Sequence, residues 1–135
     1  MGAAVIVHGF EEARAALAAA AEAGRAVTLL SAPGAAGYAG IGWWRALVAA
    51  ARASVPDAVA DDVLDCGELA GLAVAALHVG CPAVVFSGPD AQAERLAALA
   101  GVCGARMLRA APPALDLAHP SAHRRLAAWL VGAPG

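Results

Sequence analysis

The chain has 135 residues, of which 61% are hydrophobic and only 15% are charged, and its net charge is −2. This length predicts a single α/β domain over residues 1–135 with a sizeable core. All nine basic residues are Arg, which excludes Schiff-base chemistry and a P-loop lysine. Because the Arg residues form no basic stripe, we expect no nucleic-acid binding. The small charged fraction predicts a homo-oligomer, since a monomer must cover its whole surface with polar groups.

Two long stretches without Asp, Glu, Lys or Arg raise the question of a membrane span. They cover residues 26–44 and 69–89, and Pro33 and the Gly80-Cys81-Pro82 segment interrupt them. Such breaks are typical of loops rather than of a spanning helix. The first residues do not resemble a signal peptide, and three irregularly spaced cysteines are typical of reduced thiols. We therefore expect a cytoplasmic protein that does not enter a membrane.

Five short apolar runs, each followed by an Ala-rich stretch of helical period, predict five strands and five helices. The strands are expected at residues 5–7, 27–30, 63–64, 84–86 and 107–108. The helices are expected near residues 11–24, 43–53, 68–79, 90–101 and 121–130, with Gly24 ending the first helix and Asp90 capping the fourth. This alternation predicts a three-layer αβα sandwich around a (βα)5 parallel five-stranded sheet. The number of units favours the Rossmann-like, flavodoxin-like strand order 2-1-3-4-5.

The carboxyl ends of the strands are the expected ligand-binding edge, because ligands bind there in open α/β sheets. The segments predicted to meet at this edge are His8-Gly9, the loop 31–42, Asp65-Cys66, Ser87-Gly88 and the loop 109–119. Cys81 and Cys103 precede strands instead. They are therefore predicted to be packing residues at the opposite edge.

The loop 31–42 is the least ordinary segment, because a βα connection needs only a few residues. Its glycines let backbone N–H groups approach a ligand, and the next helix adds a positive dipole end. We therefore expect a small anionic ligand, or else a flexible or subunit-contact loop. The predicted ligand-binding residues are Ser31, Gly34, Gly37, Gly40, Gly42, Arg45, Ser87 and Gly88. The segment matches neither a P-loop nor Gly-x-Gly-x-x-Gly, so no cofactor is indicated.

Trp43 and Trp44 follow this loop and point about 100° apart on a helix. One is expected to enter the core. The other is expected to cover the loop, to stack on a ligand or to contact a second subunit, unless both pack against neighbouring helices.

Asp65 ends the third predicted strand, a position that resembles the phosphoacceptor of response-regulator receivers, with Ser87 at the position of their hydroxyl. However, the acidic pair that would hold Mg²⁺ is replaced by His8-Gly9, and the expected lysine is absent. Phosphoryl transfer would then lack its main charge stabilisation. Asp65 has a second interpretation as a helix cap.

Several titratable residues could also serve a metal or a reaction at the same edge. The candidate ligands His8, Asp65, Cys66, Asp116, His119 and His123 have no diagnostic spacing, so no metal site is predicted. Two functional hypotheses follow. The first is a binding or regulatory module for a small anion or a partner. The second is a small enzyme in which Asp65 or His8 acts as general acid or base and Cys66 as nucleophile.

Overall fold

A computed structural model describes residues 2–132 of the chain, which form six strands and six helices. The strands are β1 (Ala3–Ile6), β2 (Val27–Leu30), β3 (Ala60–Asp65), β4 (Ala83–Val85), β5 (Arg106–Leu108) and β6 (Ala114–Asp116). The helices are α1 (Phe10–Ala23), α2 (Ala35–Tyr38), α3 (Ile41–Ser54), α4 (Ala70–His78), α5 (Asp90–Val102) and α6 (Ala122–Gly132). The described residues belong to two compact units. The first unit comprises residues 2–30, 46–61 and 112–132, and the second comprises Ser31–Arg45 and Asp62–Ala111.

In the first unit, β1 is the central strand. It pairs in parallel with β2 and with β6, so that Val5 lies opposite both Leu29 and Leu115. Helix α1 packs against α6. The buried residues of α1 recur at helical spacing, which is the pattern of a helix with one core-facing stripe: Ala13, Ala16, Leu17 and Ala20. The Nε1–H of Trp129 donates a hydrogen bond of 2.8 Å to the Ala4 carbonyl and ties α6 to β1.

In the second unit, β4 pairs in parallel with the end of β3 and with β5. Helix α4 packs against α5 and buries Ala73, Ala76 and Leu77. Trp44 and Phe86 are fully buried and are the largest side chains of this core. Trp43 is 38% exposed, which confirms that only one of the two tryptophans enters the core.

The α/β class and the parallel strands are confirmed, but the predicted strand number and order are wrong. The described residues form six strands. Strand β1 lies between β2 and β6 rather than between the second and third strands, as the flavodoxin-like order 2-1-3-4-5 requires. The sixth strand falls inside the segment that was predicted to be a loop, 109–119. It is only three residues long and buries one of them, Leu115, so it shows no apolar run. Its pairing extends to the Leu117 N–H, which donates to the Ile6 carbonyl at 3.0 Å.

Helix boundaries agree with the sequence pattern at some ends and differ at others. Gly24 ends α1 in the left-handed conformation, with φ 65°, as predicted. Asp90 does not cap α5, because Pro89 is the N-cap and provides no side-chain hydrogen bond. The short helix α2 lies inside the loop 31–42 and was not predicted. Cys103 is exposed rather than packed.

Within residues 2–132, each helix is either too short or too polar to cross a membrane.

Candidate functional site

Asp65, the last residue of β3, organises the loop ends of the second unit. The residue is only 7% exposed. Its Oδ1 accepts hydrogen bonds from the Gly34 N–H at 3.1 Å and the Gly67 N–H at 2.9 Å. Its own N–H donates to Ser31 Oγ at 2.8 Å. The four residues Ser31, Gly34, Asp65 and Gly67, here called the Asp65 cluster, therefore hold two loops together.

The two glycines of the Asp65 cluster have backbone conformations that other residues rarely adopt. Gly34 has φ 68° and Gly67 has φ 56°. A side chain at either position would be strained, because left-handed φ brings Cβ close to the backbone. The glycines therefore turn the chain so that both amides point at one carboxylate oxygen.

The loop after β4 is attached to the Asp65 cluster through its backbone. The Ser87 N–H donates to the Gly67 carbonyl at 2.8 Å. Gly88 is required by packing, since a Cβ there would lie 2.3 Å from Cζ of Phe86. The Ser87 side chain is exposed, and its hydroxyl makes no hydrogen bond to residues 2–132. The loop therefore presents one free hydroxyl on a fixed backbone.

Arg109, which follows β5, holds this loop from the other side. Its guanidinium donates to the carbonyls of Phe86 at 3.0 Å and Gly88 at 2.8 Å, and to Asp90 Oδ1 at 2.9 Å. It also lies 5.8 Å from the centroid of the Phe86 ring, within the range of a cation–π contact. Three acceptors thus occupy the guanidinium. It fixes the Ser87 loop and neutralises Asp90.

Helices α4 and α5 both begin beside these loops without a side-chain cap. Their N-cap residues are Leu69 and Pro89, and neither side chain provides a capping hydrogen bond. The first N–H groups of a helix have no partner within the helix, and they carry the positive end of its dipole. The loop ends of the second unit therefore combine the Ser87 hydroxyl with two groups of uncapped helix amides.

The other glycines of the loop 31–42 have local roles. The Gly37 N–H donates to the Gly34 carbonyl at 2.9 Å, and a Cβ on Gly37 would lie 2.9 Å from Leu69 Cδ1. Gly40 has φ 98° and follows α2. A Cβ on Gly42 would meet open space. None of these three glycines donates a hydrogen bond to the Asp65 carboxylate, whose Oδ1 accepts the N–H groups of Gly34 and Gly67 instead.

Arg45 lies against the end of α4 that is farther from the Asp65 cluster. Its Nη1 is 4.0 Å from Cys81 Sγ, and a Cβ on Gly80 would lie 3.6 Å from the same nitrogen. A cation is favourable there, because the C-terminus of a helix carries partial negative charge. The structure therefore does not bring Arg45 together with Ser31, Gly34 and Ser87.

Cys66 directly follows Asp65 and is fully buried. Its Sγ lies 3.9 Å from the Leu64 carbonyl. Burial, and then the negative charge of Asp65, raise the pKa of the Cys66 thiol to about 12. At neutral pH the sulfur is therefore protonated. Because the thiolate is the nucleophilic form, this environment does not activate Cys66.

In the first unit, His8 pairs with Asp116. Nε2 of His8 is 2.7 Å from Asp116 Oδ1, and the same oxygen accepts the Ala118 N–H at 2.9 Å. Burial opposes ionisation of Asp116, but hydrogen bonds from Ala118 and His8 and the charges of His8 and His119 outweigh it and lower its pKa. The pair is open to solvent, with 35% of the His8 side chain and 45% of the Asp116 side chain exposed.

The sequence pattern indicates His8 as a candidate base but contains no signal for its pairing with Asp116. The amide of Gly67 and the contacts of Arg109 were also missed. A sequence signal existed only for Gly67, which directly follows Asp65. Among residues 2–132, no three His, Cys, Asp or Glu side chains are grouped so that they could hold a metal ion.

Comparison of the chain with models of known protein families, and with curated proteins, found no match.

Proposed function

We propose that the protein is a small binding or regulatory module that holds a small anionic ligand at the loop ends of the second unit. The observation that carries this proposal is the position of the Ser87 hydroxyl, which is exposed on the loop that leads to the uncapped start of α5. The uncapped start of α4 follows Gly67, whose carbonyl accepts the Ser87 N–H. Backbone amides of this kind bind phosphate or carboxylate groups without any lysine.

The Asp65 cluster prepares this binding edge without itself contacting the anion. The carboxylate of Asp65 is engaged by the amides of Gly34 and Gly67, so these two glycines contribute shape rather than free donors. Asp90, the acidic residue nearest to Ser87 in the sequence, is paired with Arg109. A rigid loop loses little conformational entropy when a ligand binds, which favours affinity.

The same contacts favour binding over catalysis in the second unit. Asp65 and Ser31 are engaged in holding loops together, and Cys66 is protonated at neutral pH. The Ser87 hydroxyl makes no hydrogen bond to residues 2–132, so no base within that range is positioned to take its proton. We therefore assign this edge to ligand recognition.

Isothermal titration with inorganic phosphate tests the proposal. We expect saturable binding of one phosphate per chain, and binding about tenfold weaker in Ser87→Ala, because a hydrogen bond to a charged group contributes about 1.5 kcal/mol or more. Ala91→Glu adds a competing carboxylate to the first turn of α5 and is expected to abolish binding. Ser54→Ala is the matched control, since it removes a hydroxyl that bonds only to the Ala51 carbonyl in the first unit.

Phosphate binding that Ser87→Ala and Ala91→Glu leave unchanged would place the anion elsewhere. Absence of binding up to millimolar phosphate would contradict the proposal.

The His8–Asp116 pair supports a second candidate function, an enzyme with a general base in the first unit. A histidine whose Nε2–H is held by a carboxylate keeps Nδ1 available as the proton acceptor. This arrangement would activate a water or hydroxyl against a substrate carbonyl. It uses His8, as the enzyme hypothesis from the sequence does, but with Asp116 as the orienting carboxylate.

Hydrolysis of p-nitrophenyl acetate distinguishes this candidate from an ordinary exposed histidine. We expect His8→Gln and Asp116→Asn each to lower the rate well below that of the control His78→Gln, which removes the exposed histidine of α4. Equal rates in the His8→Gln and His78→Gln proteins would reject the enzyme.

A further inference from the structure

Helix α4 has an unusual solvent-facing side. The helix Ala70–His78 contains no Asp, Glu, Lys or Arg, although Gly71, Val74 and Ala75 are exposed. A helix at the surface of a monomer normally carries charged or polar residues on its outer face. The residues that flank α4 are also apolar and exposed, Leu69 by 51% and Val79 by 52%. This side of α4 therefore has the composition of a covered surface.

A groove runs between α4 and α5 on the same side. Its volume is about 260 Å³. It is lined by Ala70, Val74, Gln92, Arg95, Leu96 and Leu99. The outer side of α4 together with this groove is here called the α4–α5 face. Exposed apolar surface that is contiguous and rimmed by polar groups marks an interaction site.

Arg95 lines the groove, and Glu68 is exposed two residues before Ala70, which also lines it. Neither Arg95 nor Glu68 forms an ion pair with any of residues 2–132. By contrast, Arg14 and Arg109 each pair with a carboxylate, at 3.0 Å and 2.9 Å. Because this surface carries both an unpaired acid, Glu68, and an unpaired base, Arg95, it is complementary in charge to the same surface of a second copy. The two charges match a twofold interface, in which Arg95 of one copy can meet Glu68 of the other and the reverse pair forms by symmetry.

We propose that the α4–α5 face is the interface of a homodimer, in which α4 of each copy packs into the α4–α5 groove of the other. The twofold axis runs roughly parallel to α4 and α5, so that the N-termini of these helices in one copy lie beside the N-termini of the same helices in the other copy. Glu68 precedes the start of α4 and Arg95 lies in the second turn of α5. In this arrangement Arg95 of each copy pairs with Glu68 of the other copy.

Two further observations favour a second copy over other occupants. The chain as a whole is only 15% charged, below the roughly 25% of a typical soluble domain, which leaves few charges to cover the surface of a monomer. An anionic membrane surface would require Lys or Arg residues around the apolar side, and Arg95 is the single basic residue that lines the groove. The inference concerns a different surface from the anion-binding loops and does not depend on them.

Light scattering coupled to size-exclusion chromatography of the full chain, over a series of concentrations, tests the interface. We expect the mass of a dimer for the unaltered protein. Val74→Glu places a charge in the apolar groove and is expected to give a monomer. Val59→Glu is the matched control, because Val59 is 69% exposed in the first unit, and this variant is expected to remain a dimer. Circular dichroism establishes that both variants are folded.

A charge-exchange series tests the predicted orientation without altering the apolar groove. Arg95→Glu and Glu68→Arg are each expected to weaken dimerisation about tenfold, because like charges then face each other. The double variant Arg95→Glu, Glu68→Arg restores opposite charges and is expected to return to the original affinity.

A monomer at all concentrations, or a dimer that survives Val74→Glu, would overturn the interface. Failure of the double variant to recover affinity would overturn the twofold arrangement.

Discussion

Asp65 and Asp116 each end a parallel strand, yet their surroundings give them different roles. Asp65 is 7% exposed and accepts two glycine amides. Asp116 has a side chain that is 45% exposed, and its main side-chain partner is His8. The buried carboxylate holds loops in place, whereas the exposed one holds a titratable ring in a chosen orientation. A carboxylate at a strand end therefore has no fixed function, and burial together with the type of donor decides its role.

The largest expected effect is the loss of stability on removing the Asp65 carboxylate. Asp65→Ala leaves the amides of Gly34 and Gly67 without their acceptor, and we expect the free energy of unfolding to fall by about 3 kcal/mol. Asp116→Ala is the matched control. It is expected to cost less than about 1 kcal/mol, because exposed ion pairs contribute little. Urea denaturation followed by circular dichroism measures both values.

Asp65→Asn sharpens this prediction, because its amide oxygen still accepts hydrogen bonds. We expect its loss of stability to lie between those of Asp65→Ala and the unaltered protein. Equal losses in the free energy of unfolding for Asp65→Ala and Asp116→Ala would show that the buried carboxylate does not stabilise the fold more than the exposed one.

A smaller effect is expected in alkaline solution from Cys66, the buried neighbour of Asp65. The pKa of its thiol is raised from 9.0 to about 12 in the folded protein. The contribution of the buried, protonated Cys66 thiol to the free energy of unfolding is therefore fully present below pH 9. It is lost as the pH rises towards 12. The decline is up to about 1.4 kcal/mol per pH unit. Urea denaturation between pH 8 and pH 10.5 measures this slope.

Two cysteine variants assign the slope to its source. Cys66→Ala is expected to reduce the slope but not to remove it, because burial also raises the pKa of Cys81. Cys103→Ala is the control and is expected to leave the slope unchanged, since Cys103 is exposed. If the free energy of unfolding declines with pH as steeply in Cys66→Ala as in the unaltered protein, the result would contradict the burial of a protonated thiol.

The parts of the fold that the sequence predicted well are those with strong local signals. The apolar run 27–30 coincides with β2, and Gly24 ends α1 as expected. The sixth strand was missed because Ala114–Asp116 is stabilised by pairing with β1 rather than by its own composition. A local pattern contains no information about a partner that lies more than a hundred residues away. The strand order could not be derived for the same reason.

The candidate site was predicted in part. Ser31, Gly34 and Asp65 were placed at one edge from the strand pattern, and the structure joins them in one hydrogen-bonded cluster. Which atoms bond to which could not be predicted, because this depends on the left-handed turns at Gly34 and Gly67. Arg45 was assigned to the glycine loop because it is close in sequence. It lies instead beside Gly80 and Cys81, because its long side chain extends towards the far end of α4.

The late position of β6 in the chain has a consequence for synthesis on the ribosome. One edge of β1 pairs with β2, the next strand along the chain. Its other edge pairs with Ala114–Asp116 and therefore has no native partner until this much later segment has been made. An open parallel edge of this kind is prone to pair with other chains. The nascent protein thus passes through an interval in which chaperone binding at β1 would protect it from aggregation.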